Sequence, residues 1–285
     1  MVTVAGGKGI NVARVYKTLG GQPFATGFLA GANGRTVLRA LGAEQIESRF
    51  VRTRGESRIC IAVIDTAAGT QTEINEPGPA VTRRAVEALK RQVEALLETR
   101  RFAFLVLSGS LPPDAPKTLY ADLISIAKRN STRAVLDSSG DALVAGAEAI
   151  PWLIKPNSAE LETLAGGSVT SAPEAVSAAK ALVETGIHIV AATRGSHGAL
   201  LVTRDEVWSG EPAPVAFASA VASGDSFLAA LLWKWERAAA QTRAAEALQL
   251  AIGAGAANAA RVGAGLCSLE SILSHASQAV VRQWE

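Results

Sequence analysis

The chain of 285 residues is poor in cysteine, with only Cys60 and Cys267, far apart and each in an apolar setting. No Cys-x-x-Cys pair and no histidine cluster occurs, which excludes a disulfide framework and a zinc site and leaves both thiols as buried, reduced side chains. Charge of one sign is missing as well: 28 basic and 26 acidic residues give a net charge of +2, too balanced for a surface that clamps a nucleic-acid backbone. No run approaches the ~20 apolar residues of a membrane span. The start carries no basic stretch followed by an apolar segment, so secretion is not expected and the cytoplasm is. Two general nucleotide loops are absent, since nothing matches Gly-x-x-x-x-Gly-Lys-Ser/Thr and no Gly-x-Gly-x-x-Gly follows a strand. There is no internal repeat and no low-complexity tail.

What is present suffices for a large core, with 48% apolar and 19% charged residues. Short β-branched runs at Phe102 to Leu107, Arg133 to Asp137, Trp152 to Lys155, Ile187 to Ala192 and Ala199 to Thr203 read as strands. Between and around them, Val81 to Thr99, Pro116 to Arg129, Ala172 to Thr185, Ser226 to Ala240 and Thr242 to Ala260 have helical period. Such alternation predicts an α/β fold with a mostly parallel sheet covered on both faces, whose ligands bind beyond the carboxyl ends of the strands. Arg58 to Asp65 and Thr70 to Asn75, joined by Thr66-Ala67-Ala68-Gly69, read instead as a projecting hairpin. Residues 1–285 are therefore expected to form one domain with a hairpin inserted at about 57–76.

Two helix starts stand out. Ser223-Gly224-Asp225 is followed at once by an apolar run, so small residues feed a helix whose first N–H groups can seat an anion, with the Asp225 carboxylate beside them. The amides of Ala222, Ser223 and Gly224 would form that seat, and Asp225 would take a proton from an alcohol. The plainer reading makes Asp225 an ordinary helix cap. At the other end of the chain, Gly6-Gly7-Lys8-Gly9-Ile10-Asn11 opens an amphipathic helix running towards Leu19, in which Lys8 supplies a point charge and Asn11 an amide for hydroxyls.

These segments resemble the ribokinase-like (PfkB) sugar kinases. Gly6-Gly7-Lys8-Gly9-Ile10-Asn11-Val12-Ala13 and Gly224-Asp225 carry the likeness, and Ser57-Arg58, Gln71 to Pro79, Ser108-Gly109-Ser110-Leu111-Pro112, Asp137-Ser138-Ser139-Gly140, Lys155-Pro156-Asn157-Ser158-Ala159-Glu160 and Arg194-Gly195-Ser196-His197-Gly198 follow in the family's order. The likeness is narrowest to the branch holding 1-phosphofructokinase and tagatose-6-phosphate kinase. It implies a three-layer αβα sandwich with a small β lid, from which the first core strand, part of the lid and a substrate-binding Asp would be missing. Ala222 and Ser223 stand where the family has Gly and Ala.

The resemblance further implies ATP and Mg²⁺ as cofactors and a ketohexose monophosphate as substrate: fructose 1-phosphate or tagatose 6-phosphate first, then fructose 6-phosphate. Asp225 would be the base and Ala222, Ser223 and Gly224 the anion hole. Gly7, Lys8, Asn11, Arg58 and Ser108 would bind the sugar phosphate. Lys155, Asn157, Thr193, Gly195, Gly198 and Asn258 would meet the nucleotide, and Glu160 with Asn157 the metal. For several of these a plain structural use stands beside the functional one: a helix cap at Asn157, a core contact for Asn258, a β-turn at Gly195 to Gly198. Asp137 is left without a role. A catalytically weak sugar-phosphate binder and a nucleoside kinase on the same fold are the alternatives. Pairing of two lids into a homodimer is expected, because a lone hairpin exposes an apolar face.

Overall fold

The computed structural model describes residues 2–65, 70–240 and 242–285. The chain opens with helix α1 (Lys8–Thr18), then strand β1 (Phe24–Ala30), helix α2 (Gly31–Ala43) and strand β2 (Glu47–Thr53). The hairpin strands β3 (Cys60–Asp65) and β4 (Thr70–Asn75) follow, their turn lying outside the described residues. Helix α3 (Arg83–Thr99) leads into β5 (Phe104–Ser108), α4 (Leu119–Arg129), β6 (Arg133–Asp137), α5 (Gly140–Glu148), β7 (Leu153–Ile154), α6 (Ser158–Ala165), α7 (Ala172–Glu184) and β8 (Ile189–Thr193). The last part comprises β9 (Ala199–Val202), β10 (Val207–Glu211), α8 (Ser223–Arg237), α9 (Arg243–Ala259), α10 (Leu269–Gln278) and β11 (Val280–Gln283).

Seven strands form the main sheet in the order β11-β10-β9-β8-β7-β6-β5. From β5 to β8 they run parallel, and the remaining pairs are antiparallel. Because side chains alternate across a strand, Val135 and Leu153 enter the layer built from α1, α8, α9 and α10, while Leu136 and Ile154 enter the layer of α3, α4, α5 and α7. All four side chains are completely buried. That explains why these strands read as unbroken apolar runs.

The expected single sheet is in two pieces. β1 and β2 pair in parallel with each other only, around a small core of Ala13, Ala25, Leu41 and Ile46, and α1 packs against both β1 and β5. β3 and β4 form a separate two-stranded sheet. On one face of it Ile61 and Ile74 are cross-strand partners, and with Ile59 and Val63 they leave an apolar stripe at least half exposed.

Two further expectations change. Cys60 is exposed because it lies on this hairpin, where its apolar neighbours are lid residues rather than core; Cys267 is buried as expected. And α8 begins at Ser223, not Ser226, which places Asp225 inside its first turn. Among the described residues no helix is long and apolar enough to cross a membrane.

Candidate functional site

The carboxyl ends of β5, β6 and β7 deliver Ser108, Asp137 and Lys155 to one point, and the start of α1 delivers Lys8. Asp137 is the hub. Fully buried, its Oδ1 receives Lys155 Nζ at 3.1 Å and Lys8 Nζ at 3.2 Å, and its Oδ2 receives Ser108 Oγ at 3.2 Å. Two ammonium groups on one carboxylate leave a net positive floor. Lys155 is buried rather than solvated.

The mouth of α8 faces this floor. A Cβ built on Gly224 would lie 3.4 Å from Lys155 Nζ, so the glycine keeps the space between helix end and ammonium open. Asp225 is not a cap. The capping position is Ala222, with no side-chain cap bond, and the buried Asp225 carboxylate instead accepts a 2.9 Å hydrogen bond from Asn11 Nδ2. Burial, reinforced by the negative charge of Asp137, pushes the Asp225 carboxyl up to about 6, against the opposing pull of Asn11, Lys8 and Lys155. At Lys8 burial pulls the ammonium down, yet the carboxylates of Asp137, Asp225 and Glu160 outweigh it and leave the group above its ordinary value.

The expected anion hole needs one correction. The Ser223 N–H already donates to Ala220 O at 3.2 Å, as the turn tightens into the helix. That leaves the amides of Ala222 and Gly224, joined by that of Asp225, without a backbone acceptor among the described residues. Two side chains brace the turn. Asn258 Nδ2 donates to Val221 O at 2.7 Å and to Ser223 Oγ at 3.1 Å, while its Oδ1 accepts from Gly265 N. Its amide is thus spent on the core contact. Ser219 Oγ accepts from Val221 N and donates to Gln71 Oε1 on β4, tying the lid to the same turn.

Ala222 holds φ 66 and ψ 10, the left-handed region where a Cβ is crowded. Ala222→Gly is expected to raise stability by about 1 kcal/mol, strain relief exceeding the added freedom of the unfolded chain. Urea unfolding checks this; a loss of stability would mean that the turn is not strained.

The remaining candidates divide. Gly7 caps α1 with φ 109 and leaves an open approach to Lys8. Thr193 ends β8 and is bridged to Asn157, so the two lie side by side. Gly195 opens the short 3₁₀ turn to β9; Gly198 has a packing reason of its own, since a Cβ there would meet Gly210 O at 1.9 Å. Asn157 and Glu160 close a capping box on α6, Asn157 Oδ1 taking Glu160 N at 2.9 Å and Glu160 Oε2 taking Asn157 N at 2.8 Å. Glu160 Oε1 remains. No group of three or more His, Cys, Asp or Glu side chains converges among the described residues, so a hard cation here would rest largely on water and phosphate oxygens. Arg58 is exposed at the entry to β3 and is not tied to the Asp137 cluster.

Sequence reading missed Arg14 and Glu44. Arg14 is only 6% exposed and clamps the Glu44 carboxylate through Nε at 2.8 Å and Nη2 at 2.9 Å. The signal was there: a charge three residues after Asn11, on the same face of a helix otherwise buried from Asn11 to Val15.

Comparison with known proteins shows the family. Residues 1–272 match the family model described as pfkB family carbohydrate kinase. The 1-phosphofructokinase of Bacillus subtilis is 34% identical over 254 residues, 89% of this chain and 81% of that protein. Phosphofructokinase-2 from Escherichia coli in complex with fructose-6-phosphate superposes with a TM-score of 0.86 at 32% identity, covering 95% of this chain and 86% of that one. The tetrameric inhibited form of the same enzyme gives 0.86 and 32%, with coverage of 95% and 86%.

Proposed function

Because the chain belongs to the pfkB family of carbohydrate kinases and is an ATP-dependent sugar-phosphate kinase, we propose that it phosphorylates a ketohexose monophosphate to the bisphosphate, with fructose 1-phosphate as the preferred acceptor. The observation that carries this reading is the Asp225 carboxylate: buried, pushed up to about 6, and set in the first turn of α8 beside free amides. Phosphoryl transfer asks for positioning and charge stabilisation more than for covalent chemistry. Asp225 accepts the proton of the attacking hydroxyl. The amides of Ala222 and Gly224, with Lys155 opposite, steady the transferring phosphoryl group.

Lys8 and Arg58 supply positive charge for the phosphate already on the sugar, and Gly7, Asn11 and Ser108 line the sugar side. Thr193 and Gly195 approach the nucleotide. Mg²⁺, when bound, would neutralise phosphate charge, and Glu160 is the residue that would hold it. The need for ATP supports a cytoplasmic location. An ADP-release assay over fructose 1-phosphate, tagatose 6-phosphate and fructose 6-phosphate should rank fructose 1-phosphate first, by tenfold or more in kcat/KM. No turnover on any of the three removes the proposal; a different order corrects only the substrate.

The apolar lid stripe fits a second copy of itself, and we propose a homodimer through it. Ile61→Lys with Ile74→Lys puts two charges at the centre of that face, where burial is costly. Light scattering should show the unmodified chain as a dimer and the variant as a monomer. An unmodified chain that is monomeric at micromolar concentration counts against the pairing.

A further inference from the structure

Asparagine presents an oxygen and an NH₂ of nearly equal shape, so its value as a donor depends on what fixes its orientation. Asn11 is 5% exposed and bonded at both ends: Nδ2 to Asp225 Oδ2 at 2.9 Å, and Oδ1 to Arg14 Nη1 at 3.3 Å. The guanidinium is itself immobilised. All five of its N–H groups are used, on Glu44 twice, Ala5 O at 2.7 Å, Ala264 O at 2.9 Å and Asn11. Turning the amide over would set NH₂ against guanidinium N–H and oxygen against carboxylate, two mismatches in a buried site.

We propose that Arg14 is a positioning residue for phosphoryl transfer: anchored by Glu44, it fixes the Asn11 amide so that its N–H, not its oxygen, is presented to the Asp225 carboxylate. The proposal rests on Asp225 being the base. Arg14 does not touch substrate; it acts through Asn11. The groups facing Asp225 are Asn11 and Lys8 from α1, Asp137 from the end of β6 and Lys155 beyond β7; Glu44, at the end of α2, is the titratable group facing Arg14. Of these, Asn11 is the neutral one whose sign of action depends on orientation. Presented as a donor it favours the ionised carboxylate, and presented as an acceptor it opposes it.

The test measures the Asp225 carboxyl titration by ¹³C NMR on the full chain, assigned with Asp225→Asn, together with the acid limb of kcat against pH. Arg14→Met should move both upward by roughly one pH unit and lower kcat near neutral pH more than it changes KM for either substrate. Arg14→Lys keeps the charge but lacks the fork, so it should show the same direction. Asn11→Ala combined with Arg14→Met should titrate like Asn11→Ala alone. Should Arg14→Met not fold, Arg14→Lys and Glu44→Gln, which loosens the guanidinium, carry the test. An unchanged titration in the folded variants overturns the proposal, and so does a further shift in the double variant, which would mean that the guanidinium acts through space. If Asp225→Asn retains turnover, the base assignment has failed instead, and the NMR titration still reads what Arg14 does to the carboxyl.

Discussion

Asp225→Asn should lose turnover by ~10² or more while gaining stability at neutral pH. The first half follows from the proposed proton transfer: the amide keeps the shape and can still meet Asn11, but cannot accept a hydroxyl proton. The second half follows from burial. A carboxyl raised from its ordinary value to about 6 binds a proton more readily in the folded than in the unfolded chain. Folding stability from this group is therefore present at low pH and lost as pH rises through the interval up to about 6, the reverse of a salt-bridged aspartate. At pH 7 the ionised side chain costs the fold on the order of 3 kcal/mol, which the asparagine does not. Activity runs the other way. The proposed base works only when ionised, so kcat should fall as pH drops below about 6. Turnover within a few-fold of the unmodified chain would sink the assignment of the base, and a lower melting temperature at pH 7 would sink the argument from burial.

Asp137→Asn should be the most destabilising substitution in the site. It leaves Lys155, whose side chain is 4% exposed, without its counter-charge, and removal of one member of a buried pair costs about 3–5 kcal/mol. The same change removes the like charge that helps hold Asp225 up, so in whatever folded protein remains the Asp225 titration should move to lower pH. Calorimetry and the NMR titration check the two halves separately. Adding Lys155→Met should recover much of the stability, because the orphaned charge is then gone. If Asp137→Asn melts like the unmodified chain, the buried pair does not hold this part of the fold together.

The parts of the fold that could be read from sequence are those with strong local signals. α7 carries Ser171, Pro173 and Glu174 as a capping box with a proline in its first turn, and its observed limits differ from the expected ones by a single residue at the end. β6 is found as expected, because its run is buried on both faces. The β1, α2, β2 unit was not seen: Gly27 interrupts the apolar pattern of β1, and Glu47, Arg49 and Arg52 give β2 too little contrast between faces. At the site, glycines and small residues marked both helix starts, since backbone geometry leaves its trace in residue type. What stayed hidden depended on contacts between distant segments: the pairing of Asp137 with two lysines, and the guanidinium behind Asn11. Cys60 failed for a related reason. Apolar neighbours do not distinguish a core strand from a lid strand whose apolar face is exposed.

The bond between Asn11 and Asp225 joins residues 214 positions apart. Closing a loop of that length costs about 5 kcal/mol of chain entropy before any contact offsets it. Each parallel pair from β5 to β8 spans far less chain, so these strands can assemble while α1 is still undocked. Asp225 and its donor Asn11 come together only when α1 docks against α8. The parallel strands β5 to β8 can therefore form before the site is complete, and recovered turnover on refolding should report the later docking of α1 on α8.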